Sequence, residues 1–156
     1  LVFQLLKYTC NKQLYYLETV MAMKLRAGEA DEELDSCFNR YRRLLEDGSL
    51  AGPIKQRALA MLHSLMGSAG ILQGRFGEAA GYFYECYMQA PALRNKAVAA
   101  LQYLHAIWNA KPDDLSPRTL EMQVAFEQHK GHIQSTDIVA LQEEWNFVTE
   151  KLGIPQ

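Results

Sequence analysis

The side chains in this chain with the most direct capacity for catalysis or metal binding are its four histidines and three cysteines, and their spacing argues against such chemistry. His129 and His132 offer two imidazoles three positions apart. His132, however, lies beyond Gly131, and no Cys or carboxylate pair completes the four-ligand set of a structural zinc. His63 and His105 fall within apolar helical stretches, where a packed, hydrogen-bonded imidazole is the expectation. Neither stands in a context that reads as a Ser-His-Asp or Cys-His arrangement. Gly67-x-x-Gly70 and Gly74-x-x-Gly77 are spaced like parts of a phosphate loop, but the first pair lies inside a helical pattern and no strand precedes either. The segment is therefore expected to carry no catalytic residue, no metal site and no cofactor.

Cys10, Cys37 and Cys86 are odd in number, far apart and set in apolar helical patterns. Buried thiols in a reducing, cytoplasmic compartment are the expectation. The formal net charge of -2 supplies no basic footprint for nucleic acid or an anionic membrane. No run approaches the roughly 18 apolar residues of a membrane span. The opening Leu1 to Leu6 is apolar but lacks the basic start and cleavage site of a signal peptide. Because the chain begins without Met inside an apolar run, it is expected to be a segment of a longer protein. Its 156 residues are read as one domain, 49% apolar and long enough to bury a core without disulfides or metal.

Helical periodicity dominates, and strand-like alternation is nearly absent. Leu14, Leu17, Val20, Met21 and Leu25 mark the buried face of a first helix spanning Leu5 to Leu25. Gly28 and the acidic run from Glu29 to Asp35 mark a stop and a new start, the carboxylates suiting a first helical turn and otherwise solvated. The second helix buries Leu34, Cys37, Phe38, Tyr41, Leu44 and Leu45, and Gly52-Pro53 opens the third. From Ile54 to Leu72 the pattern is apolar almost all round, which places this helix at the centre of the domain. Glu78 to Gln89 is its partner, and Leu93 to Ala110 continues the series. Lys111 to Pro117 is the longest connection and the expected place for mobility or a nick. Ser116-Pro117 opens a helix to about His129, with Ser116 as a cap; Thr136 or Asp137 then caps a last helix, Ile138 to Leu152. The fold class is all-α, about seven helices in antiparallel hairpins.

Residues 60–93 carry a more specific signal. His63, Met66, Gly67, Gly70, Gly74, Ala79, Phe83 and Pro91 follow the order of an aromatic, a Leu-Gly pair, a Tyr, a turn, Ala-x-x-x-Phe and a closing Pro over about 34 residues. This stretch resembles a tetratricopeptide repeat. It departs from that pattern at His63 in place of Trp, Gly70 in place of Tyr, and Cys86 in place of a small residue. The resemblance implies a right-handed array of helical hairpins that binds protein or peptide. In that array Gly67 admits a neighbouring helix, Gly74 ends a helix with positive φ, Ala79 keeps the crossing tight, Phe83 fills the interhelical core and Pro91 stops the second helix. Some members grip a C-terminal carboxylate with Lys, Arg and Asn; here the corresponding helix offers Ser64, Ser68 and Ile71, which disfavours that clamp.

The expected function is a non-catalytic interaction module or scaffold for a protein, a peptide or another domain of the parent chain. Tyr84, Tyr87, Tyr103 and Trp108 are the candidate contacts, drawn from an aromatic cluster most of which is read as core. A second reading rests on the Arg-rich helix ending Leu44-Leu45-Glu46-Asp47-Gly48, followed by Gly74-x-x-x-Glu78-Ala79 and Pro91. That order resembles the helical extensions after catalytic domains in some bacterial glycosyltransferases, and implies assembly or substrate presentation. Self-association is a third expectation, since an array cut from its neighbours leaves an apolar face uncapped.

Overall fold

The computed structural model describes residues 12–48, 50 and 52–155. Cys10, the opening Leu1 to Leu6, the start of the first helix at Leu5, and Ser49 lie outside the described residues. The described residues form eight α-helices and no strand: α1 Lys12–Arg26, α2 Glu32–Glu46, α3 Gly52–Leu72, α4 Phe76–Gln89, α5 Leu93–Ala110, α6 Pro117–His129, α7 Ser135–Ala140 and α8 Gln142–Leu152. A single 3-10 turn, Lys130–His132, follows α6. None of these helices is long and apolar enough to cross a membrane.

Each of the first five helices packs on the next, and α1 also meets α3 while α5 meets α8. Short links force this succession. After α3 the chain turns within three residues: Gly74 takes φ +73°, its N–H donates to the Ile71 carbonyl at 3.1 Å, and the Arg75 N–H donates to the Gly70 carbonyl at 2.8 Å. This pair of bonds satisfies two of the carbonyls that a helix end leaves open, and the left-handed residue it needs favours glycine. Asp31 opens α2 by accepting from the Leu34 N–H at 3.0 Å. Lys24, at the end of α1, forms an ion pair with Asp31 at 2.9 Å and another with Glu33 at 3.2 Å, so part of the acidic run braces the α1–α2 hairpin.

The apolar side chains gather into two adjoining clusters. One unites α1, α2 and α3 around Leu14, Tyr41, Met61 and Leu65. Within it the buried Tyr41 hydroxyl donates to the buried Glu18 carboxylate at 3.0 Å, tying α2 to α1. The other unites α5, α6, α7 and α8 around Leu101, Phe126 and Val148, with Trp145 edge-on to Phe126 at 5.7 Å. Helix α4 joins them, since Cys86 and Ala90 belong to the first cluster and Ala79 and Phe83 to the second.

The C-terminal stretch differs from its sequence pattern. The spacing of Ile138, Leu141, Trp145, Val148 and Leu152 reads as one helix, but the chain bends at Leu141 (φ -118°, ψ 35°) into α7 and α8. The helix is opened by Gln134, not by Thr136 or Asp137. Asp137 is the third helical residue: it accepts the Gln134 N–H at 3.0 Å and the Arg94 Nε–H at 2.8 Å, with a second bond from the other arm of the guanidinium. The bend lets Asp137 stay on α5 while Leu141 remains buried. Ser116 sits at the cap position of α6, but its side chain accepts no backbone N–H of the helix; its hydroxyl donates to Asp114 at 2.8 Å.

Candidate functional site

Residues 60–93 fall in the α3–α4 hairpin and the start of α5, and the small residues of the hairpin mark where its two helices touch. A Cβ on Gly70 would stand 3.1 Å from the Cβ of Ala79, and one on Gly67 would fall within 3 Å of the Phe83 ring. Gly74 makes the turn, and α4 ends at Gln89, two residues before Pro91. These six positions serve the hairpin itself.

The four aromatic candidates separate into two kinds. Tyr103 and Trp108 are each 3% exposed and have their polar atoms engaged. The Tyr103 hydroxyl is 3.1 Å from Thr119 Oγ1, and the Trp108 indole N–H donates to the Asp114 carbonyl at 3.1 Å. Both act within the α5–α6 corner, leaving almost no surface for a partner. Trp108 in fact fixes the 111–117 connection, where Asp114 also accepts from the Ser116 N–H at 3.3 Å, the Ser116 hydroxyl and the Thr119 hydroxyl. The connection expected to be the place for mobility or a nick is held by these hydrogen bonds.

Tyr84 and Tyr87 are half-buried. The Tyr84 hydroxyl donates to Glu121 at 3.1 Å, and the Arg118 guanidinium lies 4.3 Å from its ring centre. Burial, then the bonded Glu121 carboxylate, raises the Tyr84 phenol above its ordinary pKa. Lys96 sits 4.7 Å from the Tyr87 ring centre and donates to the Tyr87 carbonyl at 2.7 Å. Burial holds this ammonium below its ordinary pKa. Both tyrosines are therefore cation-capped side chains bound within the helix array.

A different surface collects groups without such partners. Helices α1, α3, α5 and α8 contribute to a cleft of about 200 Å³, with Phe83 of α4 reaching it between them. Leu25, Ile71, Leu72 and Leu141 supply apolar walls, and Ser68, Gln102, His105 and Glu144 supply the polar atoms. Leu72 is half-exposed at the opening, whereas Gln102 and His105 are only 8% and 7% exposed. His105 meets the Phe147 ring edge-on at 5.3 Å. Among the described residues neither its ring nitrogens nor the Gln102 amide has a hydrogen-bond partner, although neither side chain is sealed from solvent. Two polar groups more than nine-tenths buried are thus held open on one cleft.

The sequence names Ser64, Ser68 and Ile71 only as residues unsuited to a carboxylate clamp and reads His105 as hydrogen-bonded core; Gln102, Leu141 and Glu144 are not among its site residues. The signal for Gln102 was present: an amide three residues before His105 in an otherwise apolar helix, which puts both on one face. His63, by contrast, is satisfied, its Nδ1 lying 2.7 Å from Gln89 Oε1. The His129 and His132 rings are 6.2 Å apart, and no group of three His, Cys, Asp or Glu side chains gathers among the described residues.

Compared with family models, with curated proteins and with solved structures, the chain finds no significant match in any of the three.

Proposed function

We infer that this chain is a non-catalytic interaction module. It holds a segment of another protein, or of another domain of its parent chain, in the cleft between α1, α3, α5 and α8. The observation that carries this reading is the pair Gln102 and His105, buried yet unpartnered on the cleft. Their polar atoms open onto the cleft and are reached by solvent, so the peptide groups of a ligand can replace water at them. At about 200 Å³ the cleft is smaller than the roughly 300–1,000 Å³ of small-molecule sites. It fits one apolar side chain with its flanking peptide groups, the anchor-and-backbone mode of peptide recognition. The tetratricopeptide-like spacing of residues 60–93 supports the same reading, and the buried, unpaired thiols of Cys37 and Cys86 suit a reducing, cytoplasmic setting.

The test is selection from a random dodecapeptide display library, with the protein and its Leu72→Arg variant as parallel baits. The reading requires peptides enriched on the protein and lost on the variant, whose guanidinium would stand at the cleft mouth. Enrichment indifferent to Leu72→Arg, or no enrichment, overturns it.

A further inference from the structure

The cleft has a one-sided charge. Among the described residues Glu144 is the only acidic one lining it, and no Lys or Arg does. Glu144 is half-buried, and among the described residues it forms no ion pair. The open Gln102 amide and His105 imidazole line the same cleft, as does the apolar surface of Ile71, Leu72 and Leu141.

We propose that the cleft selects a cationic extended segment: one apolar side chain enters between Ile71, Leu72 and Leu141, its peptide group bonds Gln102 and His105, and an adjacent Lys or Arg reaches Glu144. This rests on the interaction-module reading above and assigns the chemistry of the partner. A glutamine amide donates and accepts at once, so it can complete both the N–H and the C=O of one extended residue, which no purely acidic or basic side chain can do. An uncompensated carboxylate at the rim repels Asp, Glu and a chain-terminal carboxylate. It attracts Lys and Arg, whose long stems can lie along the apolar wall while the charged head stays at the rim. Partial burial makes this attraction stronger than that of a fully exposed pair, and the absence of a competing internal cation leaves Glu144 available.

Two degenerate peptide pools decide the matter. Each has a central Leu, flanked by Lys or Arg in the basic pool and by Asp or Glu in the acidic pool, and each is titrated into isotope-labelled protein while the Gln102 side-chain amide and His105 ring resonances are followed. The basic pool is expected to shift these resonances at about five- to tenfold lower concentration than the acidic pool, an advantage that weakens as salt screens the charges. Glu144→Lys is expected to reverse the preference. Gln102→Met, close to isosteric, is expected to weaken the basic pool roughly tenfold without altering the charge preference. If both pools shift the cleft equally, or if Glu144→Lys leaves the preference intact, the charge selectivity is wrong and the interaction-module reading survives. If neither pool shifts the cleft resonances, or if peptides shift residues elsewhere, both fall.

Discussion

A Cβ built on Gly67 would stand 2.6 Å from Cε1 and 2.7 Å from Cζ of Phe83, so the aromatic ring of α4 lies against the bare backbone of α3. The contact is at the middle of the hairpin that links the two apolar clusters. Side-chain absence is here the condition for the approach of two helices.

Opposite outcomes are expected for the same substitution at two glycines. Alanine raises helix propensity by about 0.8–1.0 kcal/mol. At Gly67 that gain meets the Phe83 ring, and displacing a packed aromatic costs about 1–3 kcal/mol, so Gly67→Ala should lower unfolding stability. Nothing lies within 4 Å of a Cβ on Gly81 in α4, so Gly81→Ala should raise stability by about 0.5–1 kcal/mol. Phe83→Leu should relieve part of the Gly67→Ala cost, giving a favourable coupling in a double-mutant cycle read by denaturant unfolding. A stabilised Gly67→Ala protein would mean that the helices are not held this closely.

Acid should loosen the attachment of α7 to α5. Burial alone would push the Asp137 carboxyl up, but the Arg94 hydrogen bonds, the Gln134 N–H and the Arg94 charge together hold it below the usual carboxylate range. A carboxyl depressed by folding contributes stability that is present above its unfolded pKa of about 3.9 and is lost as pH falls through the folded value. Asp137→Asn should flatten the corresponding fall in stability below about pH 4, and should cost about 1.5–3 kcal/mol at neutral pH because Arg94 loses its charged acceptor. An unchanged acid limb in the variant would remove Asp137 from this role.

The 111–117 connection should resist proteolysis until Asp114 is removed. Its carboxylate gathers Ser116 and Thr119, and those hydrogen bonds, the Thr119 bond foremost, hold it below its ordinary pKa. Asp114→Ala removes the acceptor for both hydroxyls and weakens the loop over Trp108. A loss of about 1–2 kcal/mol in local stability corresponds to a 5- to 30-fold rise in the rate of nicking by trypsin after the exposed Arg118, where the connection enters α6. Equal rates in the two proteins would show that the loop opens independently of this network.

Legibility from sequence followed the physical range of each interaction. The helices of the first hairpins were readable because their apolar faces recur at helical spacing and Gly28, Gly74 and Asp31 mark their ends with local chemistry. Residues Gly67, Ala79 and Phe83 were readable because a repeat-like pattern fixes which positions face each other. The bend at Leu141 was hidden: apolar spacing runs straight through it, and the partner of Asp137 is Arg94, 43 positions away. The cleft was hidden for the same reason. Leu25, Ile71, Gln102 and Glu144 come from four helices, and only their packing puts them on one wall. Trp108 and Tyr103 showed the converse, since aromatic side chains suited to a partner surface are equally suited to closing a helix corner once Asp114 and Thr119 complete their polar ends.

Thiol reactivity offers a last check on the core around α4. Cys86 is fully buried beneath α3 and α5, and burial pushes its thiol up to about 12. Cys37 on α2 is buried less completely; burial, followed by the nearby Glu33 charge, raises its thiol as well. The thiolate is the reactive form, so both should be slow toward a disulfide reagent at pH 8. In a Cys10→Ser protein, native labelling should proceed in two phases, with Cys37 first and Cys86 only at the rate of unfolding. Both should react at once in guanidinium. Rapid native labelling of Cys86, identified by peptide mass, would contradict the packing of α4 between α3 and α5.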